Sequence, residues 1–330
     1  ILAPQPHMKI ILDKLFKIRN KNNNTNPIVC KFKDYTEVKK IFHVFSSHSN
    51  DCEIRFVGGC IRKILNGEKI DDIDLAVNEE PHVVQSILKK NEIKYYETGI
   101  QHGTITVILN NKKFEITSLR KDISTDGRHA KVEFTRDWAE DASRRDFSIN
   151  SIYSDINGNL FDPYNGKSDL EKGIVKFIGD PDKRLKEDYL RILRYLRFFS
   201  IYSNFEHDKS LKKIILKNIN GIKKISKDRL LDELKKLLSS SAFLKMSNDK
   251  YSLDILTMIF PELKNLTLFN KISYDAIDLL PSKDYIFILS LIIIDESDTS
   301  DYFFFKYNMS NENKSRINFL KKNFKNIEEK

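Results

Sequence analysis

Apolar and polar positions repeat with two different periods along the chain, and the change from one to the other divides it in two. In the first half, short apolar runs typical of strands cover Ile54–Val57, Ile73–Val77, Thr104–Leu109 and Phe114–Thr117. The pair Asn110-Asn111, between the last two runs, predicts a hairpin turn. Helices are predicted to start at Ile61 and to cover Pro81–Lys90, with proline in the first turn.

After about Lys167 the strand signals nearly stop and helical spacing takes over. It covers Leu185–Tyr202, Leu211–Asn218, Arg229–Leu238 and Leu253–Phe260. An earlier helix is predicted over Tyr35–Phe45. The predicted fold is therefore an α/β part with a small mixed sheet, followed by an all-α part.

The charge of the chain favours a polyanionic partner. Lys and Arg number 56 and Asp and Glu 47, so the net charge is +9 and the pI about 9.1. Residues 205–245 hold 11 basic against 5 acidic residues, as a nucleic-acid binder would require. The alternative is that the many Lys, Asn and Ile residues reflect an AT-rich genome, with lysines only solvating helix faces.

Cysteine content and hydropathy exclude other classes. The three cysteines, Cys30, Cys52 and Cys60, form no CxxC pair and are too few for a disulfide framework. They favour a reducing cytoplasm and argue against structural zinc. The longest apolar run, Tyr285–Ile294, has ten residues, whereas a membrane span needs about 20. No membrane is expected.

Asp72 and Asp74 are the first candidates for chemistry. Residues two apart on a strand face the same side, so the two carboxylates project together. Oxygen ligands of this kind suit Mg²⁺, which binds one or two carboxylates plus substrate phosphates. Most such pairs are solvated turn residues, which is the alternative here.

A glycine turn upstream strengthens the metal interpretation. Gly58 and Gly59 end the first strand, and glycines there let backbone N–H groups approach a phosphate. Arg62 adds a cation. A phosphate cradle beside metal carboxylates fits nucleotidyl transfer, in which two metals clamp the attacking and leaving oxygens. Glu115 is the best third carboxylate because it lies among apolar neighbours, where an unused charge is costly; it could equally be a solvent-facing strand residue.

A second cluster runs from Arg144 to Asn150. Two arginines beside an aspartate could be a surface ion pair. Beside the first cluster, however, Arg145 could form a bidentate hydrogen bond with triphosphate oxygens, and Asp146 could accept a hydrogen bond from a ribose hydroxyl.

The order of these motifs resembles the class II tRNA nucleotidyltransferases, the CCA-adding enzymes and their relatives the bacterial poly(A) polymerases, within the DNA polymerase β superfamily. The matching segments are Gly58 to Arg62, Asp72 to Asp74, Asp126 to Ala130, Arg144 to Asn150, Asp162 to Gly166, Glu187 to Arg194 and, more weakly, Ile225 to Leu230. Each is common alone, but together they are specific.

The resemblance implies a protein template for base choice on the predicted helix Leu185–Tyr202. Asp188 would accept a hydrogen bond from the exocyclic amine of cytosine or adenine, and Arg191 would donate to the ring nitrogen beside it. Arg194 and Arg197 would contact the phosphates. The alternative for Arg197 is a structural role. The alternative is a charged helix face with i,i+3 pairs.

The stretch Leu119–Phe134 is polar and predicted to be a mobile loop. In the family it corresponds to the flexible loop that helps the site switch from C to A. Its centre is Asp126, Gly127, Arg128 and His129. His129 is expected to be a loop contact and not a general base.

The resemblance implies four segments. The first is a leader at 1–50, of which 1–7 looks like an expression scar, and the second is a nucleotidyltransferase palm at 51–166. The third is a helical neck for base templating and RNA binding at 167–240, and the fourth is a helical body and short tail for tRNA binding at 241–330.

The implied activity is Mg²⁺-dependent addition of CCA to tRNA from CTP and ATP, with Asp72 and Asp74 as metal ligands. Alternatives are a poly(A) polymerase, an enzyme that adds only CC or only A, or a non-catalytic RNA-binding protein. No obligate protein partner is expected.

Overall fold

The computed structural model describes residues 26–125, 130–240, 242–267, 284–295 and 297–324. The predicted loop residues Asp126, Gly127, Arg128 and His129 lie outside these ranges. The chain divides into two compact units. The first contains residues up to 118 together with 153–161, and the second contains 119–152 and 162–330.

The first unit is built on a mixed sheet of seven strands. Its strands are β1 (Ile54–Val57), β2 (Ile73–Val77), β3 (Tyr95–Gly99), β4 (Thr104–Leu109), β5 (Lys112–Ser118), β8 (Tyr153–Ser154) and β9 (Leu160–Phe161). Their order across the sheet is β3-β4-β5-β2-β1-β8-β9. All neighbours are antiparallel except β2 and β5, which pair in parallel. The predicted mixed sheet is therefore confirmed.

Four helices of residues 26–118 accompany this sheet. They are α1 (Pro27–Phe32), α2 (Thr36–Ser46), α3 (Gly59–Leu65) and α4 (Pro81–Lys90). The first two fall within the predicted leader but pack in the same unit as the sheet. The ring of Phe32 stacks on Phe56 of β1 with centroids 4.2 Å apart, and Phe42 approaches the same ring at 4.8 Å.

The second unit begins with a hairpin of β6 (Arg120–Thr125) and β7 (Ala130–Phe134), paired antiparallel. The prediction of a mobile loop over Leu119–Phe134 is therefore wrong for its two arms. Arg120 pairs with Phe134 and Lys121 with Glu133. The two strands therefore hydrogen-bond their backbone N–H and C=O groups to each other, whereas the polar sequence suggested that these groups face solvent.

In the described residues, the rest of the second unit is mainly helical. Its helices are α5 (Trp138–Ser143), α6 (Gly166–Lys172), α7 (Pro181–Glu187), α8 (Arg191–Tyr202), α9 (Lys209–Asn218), α10 (Lys227–Leu238), α11 (Ala242–Met246), α12 (Lys250–Ile259), α13 (Tyr285–Ile293), α14 (Thr299–Lys306) and α15 (Asn311–Phe324). Short 3-10 turns cover Ser148–Asn150 and Ile219–Lys224. Aromatic rings fill part of its core, where Phe147 contacts Phe177, Tyr195 and Phe198. Among the described helices none is both long and apolar enough to cross a bilayer.

Candidate active site

The turn after β1 depends on glycine. Gly58 has φ 65° and ψ −120°, a conformation that side-chain-bearing residues rarely adopt. Its carbonyl accepts the backbone N–H of Arg62, so the chain turns directly from strand to helix α3. The predicted strand–turn–helix over Gly58, Gly59 and Arg62 is therefore present.

Three predicted groups converge at this turn. A Cβ atom placed on Gly59 would lie 3.8 Å from Asp74 Oδ2 and 3.9 Å from a terminal nitrogen of Arg62. The carboxylate of Asp74 and the guanidinium of Arg62 thus meet over the glycine backbone. Asp72 lies just before β2 and is exposed. The sheet holds Asp74 here because β2 lies between β1 and β5.

Cys60 closes the buried side of the turn. Its thiol contacts the carbonyl oxygens of Val57 and Asp74 at 3.3 and 3.5 Å. Burial, reinforced by the charge of Asp74, raises the pKa of the thiol to about 12. Cys60 is therefore a neutral packing group and not a nucleophile. All three cysteines are free thiols.

Glu115 lies opposite Asp74 in the parallel pair of β2 and β5, so the two residues share a face of the sheet. Its side chain is 40% exposed and pairs with Lys113 at 2.5 Å. The premise that its charge is buried among apolar neighbours is wrong, because strand alternation turns Glu115 outward while Phe114 and Ile116 are buried. Its catalytic role stays a prediction.

In the described residues, no three His, Cys, Asp or Glu side chains form a cluster that could hold a metal by themselves. Two carboxylates remain at Asp72 and Asp74. This donor set fits a hard divalent cation that takes its other ligands from substrate phosphates and water.

In the second unit, a buried carboxylate that the sequence did not single out organises the two arginines. Asp141 is 1% exposed. Its Oδ1 accepts from Arg144 at 2.7 and 2.9 Å, and its Oδ2 accepts from Arg145 at 3.0 and 3.2 Å. The only sequence signal for this contact is the i,i+3 and i,i+4 spacing on a short helix. Arg145 is therefore held in one orientation.

Asp146 is buried and fully engaged within its unit. Oδ1 accepts from the backbone of Phe147 and from Asn150, both at 2.9 Å, and Oδ2 accepts from Arg194 at 2.7 Å. Burial alone would raise the pKa of Asp146, but the charge of Arg194 and these hydrogen bonds outweigh it and lower the pKa to about 2. The carboxylate stays ionised at all ordinary pH values.

The predicted single helix Leu185–Tyr202 is wrong. Helix α7 ends at Glu187, and Asp188 has φ −153° and ψ 103°, an extended conformation. Its Oδ1 accepts the backbone N–H of Leu190 and so stabilises the break. The apolar pattern hid the break because residues on both sides of it, Leu185 and Ile192, are fully buried.

Asp188 and Arg191, the predicted base-reading pair, have different surroundings. Asp188 Oδ2 accepts from Arg229 at 2.7 Å and its side chain is 23% exposed. Arg191 is 10% exposed and donates to Glu187 and to the backbone oxygen of Arg184, both at 2.6 Å. Arg229 lies in the segment Ile225 to Leu230, whose match to the family pattern is the weakest of the seven.

Arg194 and Arg197 both reach helix α10. Arg197 Nε donates to Glu233 at 2.5 Å, while Arg194 lies 3.9 Å from Glu233 and pairs mainly with Asp146. Glu233 is 3% exposed. These contacts support the structural alternative for Arg197. They give Arg194 a carboxylate partner, and its contact with a phosphate stays a prediction.

Two protein-family models match the chain in these regions. "Poly A polymerase head domain" covers residues 54–176, and "Probable RNA and SrmB- binding site of polymerase A" covers residues 204–267. The fold and the residues at the glycine turn thus define a nucleotidyltransferase of the poly(A) polymerase head class, for which divalent metal use is characteristic.

Curated relatives specify the family further. The "CCA tRNA nucleotidyltransferase 1, mitochondrial" of Mus musculus is 37% identical over 298 residues, which is 89% of this chain and 68% of the mouse protein. The human protein of the same name is 40% identical over 72% of this chain, and the "CCA-adding enzyme" of Lactobacillus johnsonii is 36% identical over 56% of it. The chain therefore belongs to the family of CCA-adding tRNA nucleotidyltransferases, as its motifs predict. The matches span 56% of the human relative and 46% of the Lactobacillus relative.

Solved structures show the same fold. The CCA-adding enzyme of Bacillus stearothermophilus in complex with CTP superposes with a TM-score of 0.70 at 24% identity, covering 89% of this chain and 70% of the other. The Thermotoga maritima CCA-adding enzyme complexed with tRNA superposes with a TM-score of 0.64 at 19% identity, covering 90% and 72%. The predicted palm with helical domains is confirmed.

Proposed function

We propose that this chain adds CCA to the 3′ end of tRNA, using CTP and ATP and releasing pyrophosphate. The observation that carries the proposal is the convergence of Asp74 and Arg62 over Gly59, with Asp72 two residues before Asp74. An anion-binding turn beside two carboxylates suits the α-phosphate of a nucleoside triphosphate attacked by a ribose hydroxyl. The names of the relatives at 37–40% identity support the same reaction.

Asp72 and Asp74 would hold Mg²⁺ in this proposal, in a two-metal site completed by substrate. When bound, Mg²⁺ neutralises charge on the phosphates and lowers the pKa of the attacking hydroxyl. Arg62 would contribute a fixed positive charge at the phosphates, and Gly58 and Gly59 would let the backbone approach them. Glu115, facing the same side as Asp74, is the candidate for a third carboxylate.

Asp188 and Arg191 would select the base. A carboxylate has about four lone-pair sites, and Asp188 uses two of them, for Leu190 and Arg229, so it can still accept from an exocyclic amine. Arg191 uses one terminal nitrogen for its described contacts, which leaves further N–H donors for a ring nitrogen. Cytosine and adenine share this amine-next-to-acceptor edge, whereas uracil and guanine present the reverse pattern. An unpaired buried polar group is what would reject the wrong base.

Arg145, Asp146, Arg194 and Arg197 would have a supporting role in nucleotide binding. Asp141 orients Arg145, and the Asp146–Arg194 pair fixes the backbone of the motif that carries Arg145. We assign the segments 51–166, 167–240 and 241–330 to palm, neck and body as the motifs suggest, and the flexible-loop role to 126–129. The three free thiols are consistent with the cytoplasm as location.

The test is incubation with tRNA lacking CCA, with each nucleoside triphosphate alone and with CTP plus ATP, followed by sequencing of the products. Addition of C, C and A in order supports the proposal. A long A tail would identify a poly(A) polymerase, and CC alone or A alone a partial enzyme. Tight tRNA binding without any addition would identify a non-catalytic RNA-binding protein.

A further inference from the structure

A cavity of about 430 Å³ opens in the second unit between the end of α8 and helices α9, α11 and α12. Three lysines line it, Lys212, Lys245 and Lys250, together with the aromatic rings of Phe205 and Tyr251. We call it the lysine pocket. Its volume lies within the range of roughly 300–1,000 Å³ typical of small-ligand sites.

The lysine pocket carries uncompensated positive charge. In the part of the chain that the structure describes, none of its three lysines lies within ion-pair distance of a carboxylate. Lys245 donates to the backbone oxygen of Ser203, and desolvation lowers its pKa. Lys212 lies 5.0 Å from the centre of the Tyr251 ring. Three neighbouring lysines that have no carboxylate partner are suited to an anion.

Two carboxylates also line the lysine pocket, and one of them is already engaged. Asp249 accepts from His207 at 2.5 Å and from Ser252 at 2.5 Å. Glu206 is exposed and is the second negative charge. Three lysines against two carboxylates still leave an excess of one positive charge in the cavity.

His207 gives the lysine pocket a rigid wall. The ring is 3% exposed, stacks on Phe199 with centroids 3.7 Å apart, and is hydrogen-bonded to Tyr195 at 2.9 Å and to Asp249. Phe205, two residues earlier, is 61% exposed although it is a large aromatic residue. An unpaired base can stack on the exposed ring of Phe205. Because His207 is already held in place, binding there orders few further side chains and so costs little conformational entropy.

We propose that the lysine pocket binds one unpaired nucleotide of the RNA substrate, with its phosphate at Lys212, Lys245 and Lys250 and its base against Phe205 and Tyr251. The proposal rests on the proposed function, because tRNA is the RNA considered. It favours RNA over a free nucleotide because residues 205–251 of the pocket lie within the match to the RNA-binding family model. Base-paired RNA would offer its phosphates but no exposed base face.

The test is the affinity of the protein for tRNA lacking CCA, measured by fluorescence anisotropy over a range of salt concentrations. The pocket variants are Phe205→Ala and the pair Lys212→Gln with Lys250→Gln. Matched controls are Phe319→Ala, at a ring that is 66% exposed elsewhere, and the pair Lys236→Gln with Lys322→Gln. Melting temperatures of all variants verify folding.

We expect Phe205→Ala to weaken tRNA binding by about five- to a hundredfold, the worth of one stacked base. The lysine pair should reduce the slope of log K against log salt by about one for each lost phosphate contact. Both controls should leave affinity and slope unchanged. Pocket variants that match their controls would overturn the proposal, as would CTP or AMP binding that depends on Phe205 while tRNA binding does not.

The two proposals fail differently. A wild-type protein that adds no nucleotide to tRNA, while Phe205→Ala still weakens tRNA binding, would refute the proposed function and support the lysine pocket. Normal CCA addition, with tRNA binding insensitive to all pocket variants, would refute the lysine pocket and leave the proposed function standing.

Discussion

The carboxylate of Asp188 accepts a hydrogen bond of 2.7 Å from the guanidinium of Arg229, a residue 41 positions further along the chain. Asp188 lies in the three-residue break between α7 and α8, where no helical backbone restrains it. Arg229, on the first turn of α10, therefore sets the direction of a side chain proposed to read the base.

This relationship predicts how base choice responds to mutation. Asp188→Ala deletes the acceptor for the exocyclic amine, so discrimination against UTP should fall by about 10- to 100-fold, the usual worth of a bidentate base contact. Arg229→Ala should move discrimination in the same direction, because it releases Asp188. The measurement is single-nucleotide incorporation of all four nucleoside triphosphates onto tRNA lacking CCA.

Arg229→Lys is the matched control for the charge, since it keeps the cation but not the planar fork. If Asp188→Ala lowers all four rates equally and still excludes UTP and GTP as well as wild type does, base choice must be made elsewhere.

The metal carboxylates give a second prediction. Asp72→Ala and Asp74→Ala should each abolish nucleotide addition and leave tRNA binding and melting temperature nearly unchanged, because neither side chain is part of the core. Asp71→Ala is the control, as Asp71 is exposed and pairs with Lys63 on the surface. Glu115→Gln should also be severe. Substantial turnover in the Asp72, Asp74 or Glu115 variant removes that carboxylate from the metal site.

The packing of Gly221 under Tyr189 gives a third prediction. A Cβ atom on Gly221 would lie 2.1 Å from the Tyr189 ring, so Gly221→Ala must displace the ring next to Asp188. We expect a loss of stability of about 1–3 kcal/mol from this overpacking, together with weaker base discrimination. The double variant with Tyr189→Ala should recover part of the stability, because the ring is gone. A double-mutant cycle in thermal unfolding measures this, and additive effects would show that the two residues do not clash.

Acid stability tests the Asp146–Arg194 pair. The pKa of Asp146 is about 2 in the folded protein against 3.8 ordinarily, so its contribution is present above about pH 4 and is lost as pH falls towards 2. The contribution is roughly 2 kcal/mol at neutral pH. The Asp146→Asn variant should be less stable at pH 7 and should lose less free energy of unfolding between pH 4 and 2. Equal pH dependence of the two proteins in urea titrations would assign the acid sensitivity to other carboxylates.

Three exposed lysines just before and at the start of α10 give a prediction about tRNA. They are Lys223, Lys224 and Lys227. Changing them to Glu should weaken tRNA binding and flatten its salt dependence by about one unit for each lost phosphate contact. The triple change of Lys40, Lys89 and Lys90 to Glu, at exposed positions of the first unit, controls for net charge. An unchanged slope would assign the three lysines to a solvated helix face.

The sequence predicts the elements of this fold well wherever local pattern decides them. Ile73–Val77, Pro81–Lys90 and Thr104–Leu109 have the predicted bounds because apolar runs, a proline at the helix start and an Asn-Asn turn are local signals. Strand β3 was missed since its residues are largely exposed and carry no alternation. Nothing in the sequence predicts hairpin β6–β7, because β6 (Arg120–Thr125) has no apolar run and Ile123 is its one apolar residue.

The site was predictable in its residues but not in its contacts. The order of motifs identifies Asp74, Arg145 and Asp188, and the i,i+4 spacing allows an ion pair between Asp141 and Arg145. Nothing local indicates that Arg229 holds Asp188, because the fold brings these two residues together from 41 positions apart. The sequence does not predict the break in the helix at Asp188. The spacing of apolar residues shows which positions are buried, but it does not show whether the helical backbone is continuous.

The contacts of Arg184 change how a mutational scan of this protein should be read. Its guanidinium donates to the main-chain oxygens of Arg144 and Arg145 and to the carboxylate of Glu187. Main-chain oxygens are the same whatever residue occupies a position, so no suppressor at 144 or 145 can restore what a substitution at 184 removes. If substitutions at Arg184 abolish activity, the loss shows that Arg184 connects two motifs through their main chain. It does not show that Arg184 contacts the substrate.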